Sequence, residues 1–394
     1  EVQPKYSVTV NKFFQNIERV NNKLKIFDPS KPYSYNPKVK LNEVLPEDIS
    51  TIMYSSGTTS RPKGVKLLHS NVVSATENMI EVLGVNENDI YLNVLPLSHS
   101  FGLGNVHMLF RQSGKVIIER SAINTPKFLN KIIEEEATVF AAAPATFRLI
   151  LDTAKDLFKV AGNNLRLMIT NSTAIPKETT IGVLENLSQT QFYMYYGLTE
   201  ASRSTFIHFN SNQTKLESVG PATPNVRIKI IGENGEEVKT FEKGEVCVQG
   251  KHVIKKYWKN EDASKALKDN WLHTGDYGYL DEEGFLFLVG RRDDIINVGG
   301  EKVSPLEIEK VILQINGVKE TAAIAMNDRI LNQVVNLCVV KEEGSVISDK
   351  EIISYSLKNL ERFKVPRKVI FVDEIPKTDS GKIKRNMLKE QIKF

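Results

Sequence analysis

Between Thr51 and Ile169 the chain repeats one pattern. Short apolar runs occur at Thr51–Tyr54, Ile90–Val94, Lys115–Ile118, Thr138–Ala141 and Arg166–Ile169, and several are separated by stretches whose apolar residues recur at helical spacing, as in Thr125–Glu136 and Ala145–Lys159. Strands alternating with helices predict a layered sheet with helical crossovers. The texture changes after Val219, where Arg227–Ile231, Gly244–Gln249 and Phe285–Val289 are strand-like and are punctuated by turns such as Glu233-Asn234-Gly235 and Glu282-Glu283-Gly284. A small antiparallel β unit is expected there. From about Asp293 a new alternation begins, with helix-like Pro305–Gln314, strand-like Thr321–Ala325 and Val334–Val340, and helix-like Asp349–Asn359. The expected fold is therefore α/β with β. Residues 1–292 form a large N-terminal domain of layered α/β sheets with a β-rich subregion at 219–292, and residues 293–394 form a small α+β domain.

A chain of 394 residues, 41% of them hydrophobic, can bury at least one large core and fold as two or more domains. Its 52 basic residues nearly balance 48 acidic ones, and a net charge of +4 does not argue for nucleic acid or a membrane surface as partner. Any anion site must be local. No apolar run approaches the roughly 18–20 residues of a membrane span, and residues 1–20 hold no signal-peptide core. A cytoplasmic setting is the default expectation. Cys247 and Cys338 each sit between apolar neighbours on a strand-like pattern, without CxxC spacing, and are expected to be buried fillers rather than redox groups or nucleophiles.

The run Thr51–Tyr54 leads into Ser55-Ser56-Gly57-Thr58-Thr59-Ser60-Arg61-Pro62-Lys63-Gly64, a hydroxyl-rich loop with two cations. Such a loop can offer backbone N–H groups, hydroxyl donors and positive charge to a polyphosphate. Taken alone, the residues leave an ordinary polar turn equally open. A Walker A loop is excluded because GK[ST] is absent.

The full string resembles the signature loop of the adenylate-forming superfamily, which includes acyl-CoA synthetases, luciferases and carrier-protein-linked adenylation domains. By that resemblance Lys63 and the hydroxyls, with Ser55, Ser56, Gly57, Thr58 and Thr59, hold the phosphates of ATP. Ser60 departs from the pattern, which usually has glycine there, but keeps a hydroxyl donor. Further segments follow in the family's order. Leu95-Pro96-Leu97-Ser98-His99-Ser100-Phe101-Gly102 resembles the segment whose histidine borders the acyl and thiol pockets; a lone His is otherwise more often a structural hydrogen-bonding residue. Tyr195-Tyr196-Gly197-Leu198-Thr199-Glu200 resembles the adenylate-binding motif. The resemblance puts Tyr196 on adenine, Gly197 at a close backbone approach, Thr199 on the α-phosphate and Glu200 on Mg²⁺, for which a hard oxygen ligand is suited. On local grounds a capped helix start after a strand fits Thr199-Glu200 equally well. Trp271-Leu272-His273-Thr274-Gly275-Asp276 and Gly290-Arg291-Arg292-Asp293-Asp294 resemble the ribose-binding and hinge segments, assigning Asp276 and Arg291 to ribose and Asp293 to the hinge. The bland alternative is a turn with a surface ion pair, worth little stability. Pro376–Arg385 resembles the final motif, with Lys382 at its catalytic lysine.

The resemblance, from about Ile52 to Met387, implies an acid–thiol ligase. A carboxylate attacks the α-phosphate of ATP, pyrophosphate leaves, and the acyl group passes to CoA or to a carrier protein's phosphopantetheine. It implies a mobile C-terminal domain, with the Gly299-Gly300-Glu301-Lys302 loop replacing the Lys382 loop for the thiol step. Thus Lys382, Thr199, Glu200 and His99 are expected to be catalytic, and Gly299, Gly300 and Lys302 to lie on the thiol side. Ser100–Arg111 contains no Asp or Glu to bind a substrate ammonium, which favours a fatty, aryl or other non-amino acid. Asn171-Ser172-Thr173-Ala174 stands where many relatives carry a glycine-rich loop, so the pocket is expected to be unusual. The chain begins at Glu1, and residues 1–54 are fewer than relatives carry before the phosphate loop. Part of a sheet layer is therefore expected to be absent or provided elsewhere. That keeps open a second reading, a truncated nucleotide-binding or assembly subunit without full activity. An unrelated P-loop NTPase fits none of the downstream motifs.

Overall fold

The structure is a computed structural model and describes residues 6–8, 25–27, 43–55, 63–119, 122, 124–171, 175–377 and 383–392. The chain divides into two compact units, Glu1–Asp48 and Ile49–Phe394. In the first, strands β1 (Tyr6–Val8) and β2 (Lys25–Phe27) pair in parallel. The remaining elements belong to the second unit.

Strands β3 (Ile49–Ser55) and β4 (Lys63–Leu68) pair antiparallel, and their last pair is Ser55 with Lys63. Next come β5 (Ile90–Asn93), β6 (Lys115–Ile118), β7 (Val139–Ala142), β8 (Leu167–Thr170), β9 (Gln191–Leu198) and β10 (Ala201–His208). They build a six-stranded sheet in the order β10-β9-β8-β7-β5-β6, parallel except for the antiparallel β9–β10 pair. Every residue of β7 and β8 is buried, as a parallel sheet covered on both faces requires.

The two-residue period of the strands sorts their side chains into two cores. Leu92, Phe140, Met168, Phe192 and Met194 point to one face, where Phe128, Phe140, Phe147, Phe192 and Phe209 form a chain of ring contacts with centroids 5.1–5.9 Å apart. Tyr91, Val139, Ile169 and Tyr195 point to the other, against helices His69–Leu83 and Ser100–Arg111. The single helix expected over Ala145–Lys159 is two helices, Pro144–Thr153 and Lys155–Gly162, broken at Ala154 (φ −148°). Alanine is the best helix former, so no local signal marks this break. Both helices drop phenylalanines, Phe147 and Phe158, into the same core, and packing imposes the turn.

The β-rich region is antiparallel throughout, as expected. Strands β11 (Arg227–Ile231), β12 (Gly244–Gln249), β13 (Leu267–Lys268), β14 (Trp271–Leu280) and β15 (Leu286–Arg291) are ordered β11-β12-β14-β13, with β15 also on β14. A third sheet holds β16 (Ile296–Val298), β17 (Glu301–Val303), β18 (Val318–Asp328), β19 (Asn332–Lys341) and β20 (Lys368–Phe371), ordered β17-β16-β19-β18 with β20 parallel to β19. Helices Pro305–Ile312, Asp349–Asn359 and Arg385–Ile392 accompany it. Ser348 and Glu351 close a reciprocal capping box at the second of these, which starts and stops at the residues expected from sequence. Cys247 and Cys338 are buried free thiols, and burial pushes them up to about 12 and about 11. Both are inert fillers. Among the described residues no helix is long and apolar enough to cross a membrane.

Candidate active site

In a parallel sheet, ligands gather where the carboxyl ends of the strands open, near the point at which strand order reverses. Here the chain runs from β5 outward to β6 and then returns to β7 on the other side of β5. Three of the singled-out segments follow carboxyl ends on that edge: the His99 segment after β5, Asn171 after β8, and Thr199-Glu200 after β9.

His99 is exposed and occupies the N-cap position of helix Ser100–Arg111. Thr199-Glu200 forms the turn of the β9–β10 hairpin and not the capped helix start that local sequence equally allowed. The strand pattern of Ala201–His208 outweighs the capping signal. The Glu200 carboxylate accepts a hydrogen bond from the Tyr257 hydroxyl at 2.8 Å, and Ile254 N–H donates to its carbonyl at 3.0 Å. Burial, and then the Glu200 charge, push the Tyr257 phenol above its ordinary pKa, so it remains a neutral donor. Gly197 stands close to the backbone of its own hairpin. A Cβ there would lie 2.5 Å from the Arg203 nitrogen and 2.7 Å from the Ala201 oxygen.

Three residues from separate motifs converge. Asp276 on β14 accepts from the Tyr196 hydroxyl at 2.6 Å and from Arg291 Nη1 at 2.8 Å. Arg291 on β15 lies opposite it in register and also donates to the Thr274 carbonyl at 3.1 Å. Burial, and then the Asp276 charge, raise the Tyr196 pKa well above that of a free tyrosine. Burial works against the Arg291 charge, but the carboxylate more than offsets it and holds the guanidinium above its ordinary pKa. The Asp276 carboxylate is 11% exposed, so the pair is more than a surface ion pair.

Asp293, expected at a hinge, is exposed, in the single turn Arg292–Asp294 that leaves β15. It lines a polar cleft of about 320 Å³ together with Glu233, Glu245, Tyr277, Arg292 and Lys302. Gly299 (φ +61°) and Gly300 (φ +101°) are the two central residues of the β16–β17 hairpin turn, which needs left-handed backbone at both positions. Lys302 follows and pairs with Glu233 at 3.0 Å. Lys63 is the first residue of β4. Ser56, Gly57, Thr58, Thr59 and Lys382 lie outside the described residues, as does the side chain of Ser55.

Magnesium bound with a nucleotide takes one or two carboxylates, and phosphates and waters complete its shell. The single Glu200 carboxylate, fixed by Tyr257, fits that requirement. No group of three or more His, Cys, Asp or Glu able to hold a metal occurs among the described residues.

Three residues carry structure here that the sequence did not reveal. Tyr257 holds Glu200 from 57 positions away. Arg385, within the final motif but without an assigned role, is buried and donates to Glu309 and to the Ala323 carbonyl at 2.8 Å, with Asp294 of the turn Arg292–Asp294 3.6 Å away. Arg203 is 2% exposed, at φ +64°. Only the improbability of a buried arginine could have flagged the last two, and burial is not visible in one sequence.

The family model of the AMP-binding enzyme matches residues 5–258, and that of the AMP-binding enzyme C-terminal domain matches residues 307–382. The chain is 34% identical over 354 residues to a probable CoA ligase CCL9 of Humulus lupulus, covering 88% of this chain and 66% of that protein. It is 33% identical over 353 residues to an oxalate–CoA ligase of Arabidopsis thaliana, covering 87% and 67%. The chain thus spans about two thirds of the length of these relatives. Among solved structures, ATP-bound MatB from Rhodopseudomonas palustris superposes with a TM-score of 0.89 at 27% identity, covering 99% of this chain and 79% of that one. The o-succinylbenzoate CoA synthetase of Bacillus subtilis with its acyl-adenylate gives 0.87 at 26%, covering 98% and 78%.

Proposed function

The chain belongs to the AMP-binding enzyme family, and from that premise we propose that it activates a carboxylic acid with ATP and passes the acyl group to the thiol of CoA. The observation that carries the reading is the convergence of Tyr196, Asp276 and Arg291, drawn from three motifs, on one hydrogen-bonded cluster beside the Thr199-Glu200 turn. A carboxylate held by a neutral phenol and a guanidinium is a fixed acceptor, suited to the vicinal hydroxyls of a ribose. The same clamp orients Tyr196 for a nucleoside base.

Joining a carboxylate to the α-phosphate brings two anions together, and positive charge must be in place before they meet. In this proposal Lys63 faces the outer phosphates, and Lys382 faces the acid and the α-phosphate. Thr199 donates to that phosphate, and Glu200 is the residue that would hold Mg²⁺. The metal, when bound, neutralises phosphate charge. The domain boundary falls at 292/293, with Asp293 as pivot. Rotation about it exchanges the Lys382 loop for the Gly299–Lys302 loop, clearing the path for a thiol.

CoA is favoured over a carrier protein because the named relatives are CoA ligases. A non-amino acid is favoured because Ser100–Arg111 lacks a carboxylate. Relatives named for oxalate, 2-succinylbenzoate, 4-coumarate and indoleacetate accord with that. The test is pyrophosphate release from ATP and Mg²⁺ across a panel of short dicarboxylic, aryl, fatty and amino acids, with and without CoA. Turnover with one non-amino class, and thioester only with CoA, is expected. Nucleotide binding without turnover on any acid would replace this reading with a nucleotide-binding subunit without full activity.

A further inference from the structure

Arg203 is the most deeply buried arginine of the described residues, at 2% exposure, and no carboxylate among them lies within ion-pair distance of it. Every other buried charge nearby is compensated, as Asp276 is by Arg291. Among the described residues the guanidinium is held by neutral partners: Nη2 donates to the carbonyls of Ser100 at 2.8 Å and Phe101 at 3.2 Å, Nη1 donates to the Ser202 hydroxyl, and Nε has no partner. Its plane lies over the Tyr195 ring, 5.0 Å from the centroid. Burying a cation this way is costly unless an anion joins it.

The surroundings sharpen the imbalance. Arg203 rests on the first turn of helix Ser100–Arg111, close enough that a Cβ on Gly104 would come within 2.2 Å of Nη2. That is the positive end of a helix dipole, where a cation is disfavoured and an anion is stabilised. The backbone is arranged to put it there. The β9–β10 register breaks between Ala201 and Thr205, and Arg203 takes φ +64° in the break, a conformation costly for a residue with a Cβ. Arg203 and Thr199 line one cavity of about 40 Å³, walled by Met53, Met79, Leu103 and His107. Burial, then the Arg203 charge, lower the His107 pKa, and burial lowers that of His252, on the same wall, to about 4. Arg203 is therefore the cation of this cavity at neutral pH.

Resting on the ligase reading above, we infer that the acid this chain activates carries a second anionic group on a short spacer, and that Arg203, with the N-terminal turn of Ser100–Arg111, binds that group. The acid's reacting carboxylate faces Thr199, and its distal anion supplies the charge the buried guanidinium lacks. The size of the shared cavity limits the spacer to a few atoms. A fatty acyl chain would leave the guanidinium unpaired and is rejected.

The experiment compares pyrophosphate release with short dicarboxylic acids, their monomethyl esters and monocarboxylic acids of equal length, using the wild-type chain, Arg203→Met and Gly104→Ala. A site built around a charged hydrogen-bonding group discriminates strongly against an analogue lacking it. The wild type should therefore favour the diacid over its half-ester by at least about 100-fold in kcat/KM. Arg203→Met should bring that ratio to near unity, chiefly by losing the diacid. Gly104→Ala keeps the charge but displaces the guanidinium, and should also lower the ratio. It guards against misfolding of the first variant, since alanine favours a helix. A merely structural Arg203 would depress both substrates alike and leave the ratio unchanged, which overturns the inference. Wild-type turnover of neutral acids at the diacid's rate overturns it while sparing the ligase reading. Absence of turnover with every acid removes the ligase reading, and the inference with it.

Discussion

His252 is 2% exposed, with its Nε2 3.0 Å from the Ser204 hydroxyl and its Nδ1 unpaired. Burial lowers its pKa to about 4, against about 6.5 for an exposed histidine. Between those values the unfolded chain binds a proton that the folded chain does not, so stability falls as pH drops through that window and is unaffected above it. The loss should reach on the order of 3 kcal/mol near pH 4, since each pKa unit corresponds to about 1.4 kcal/mol. His252→Gln, which keeps a donor toward Ser204, should remove this part of the acid limb in urea unfolding at pH 4–7. An unchanged slope would mean that the ring is protonated and solvated in the folded state. At this scale the sequence was most informative where a motif fixed a residue's company. Tyr196, Asp276 and Arg291 were named from separate strings and meet within 2.6–2.8 Å. His252, Tyr257 and Arg203 belong to no such string, and their roles depend on neighbours 48 to 103 positions away.

Element by element, periodicity located strands and helices well because burial on a sheet or helix face follows a fixed repeat. It failed at Ala154, where packing overrides propensity; at Thr199-Glu200 local sequence left the outcome open, because a hairpin turn and a helix cap use the same residue types. The helix Arg385–Ile392 shows what periodicity cannot supply. It is pinned by Arg385, whose guanidinium meets Glu309 on helix Pro305–Ile312 and the Ala323 carbonyl on β18. Burial raises the Glu309 pKa above its ordinary value despite the opposing guanidinium. Removing one partner of such a pair leaves a buried uncompensated group and costs about 3–5 kcal/mol. Arg385→Met should destabilise residues 293–394 by that amount in urea unfolding, and adding Glu309→Met should restore much of it. If the double variant is as unstable as the sum of its parts, the pair does not act as a unit.

For the molecule as a whole, the question is how residues 293–394 are held against the β-rich sheet. Among the described residues, Lys302 pairs with Glu233 and the Ser304 hydroxyl donates to the Val289 carbonyl, Lys310 pairs with Glu217 just ahead of the sheet, and helix Pro305–Ile312 packs on β15. Both ion pairs are largely exposed, and such pairs contribute roughly 0–1 kcal/mol each. Ion pairs this weak do little to fix one arrangement, and two arrangements close in free energy are what the proposed two-step reaction at one site would need. If Asp293 is the pivot, Asp293→Pro restricts φ where the chain must turn and should slow the step that needs rotation. Lys382→Ala should do the reverse, removing the cation proposed for the first step without blocking the second. Adenylate formation is read from pyrophosphate release, and acyl transfer from CoA consumption with supplied acyl-adenylate. Lys382→Ala should lose adenylation by on the order of 10²–10³ while retaining transfer, and Asp293→Pro should retain adenylation while transfer falls at least about tenfold. Parallel loss of both steps in both variants would mean that one arrangement serves the whole reaction, and the exposed pairs between the sheets would then be incidental rather than a latch.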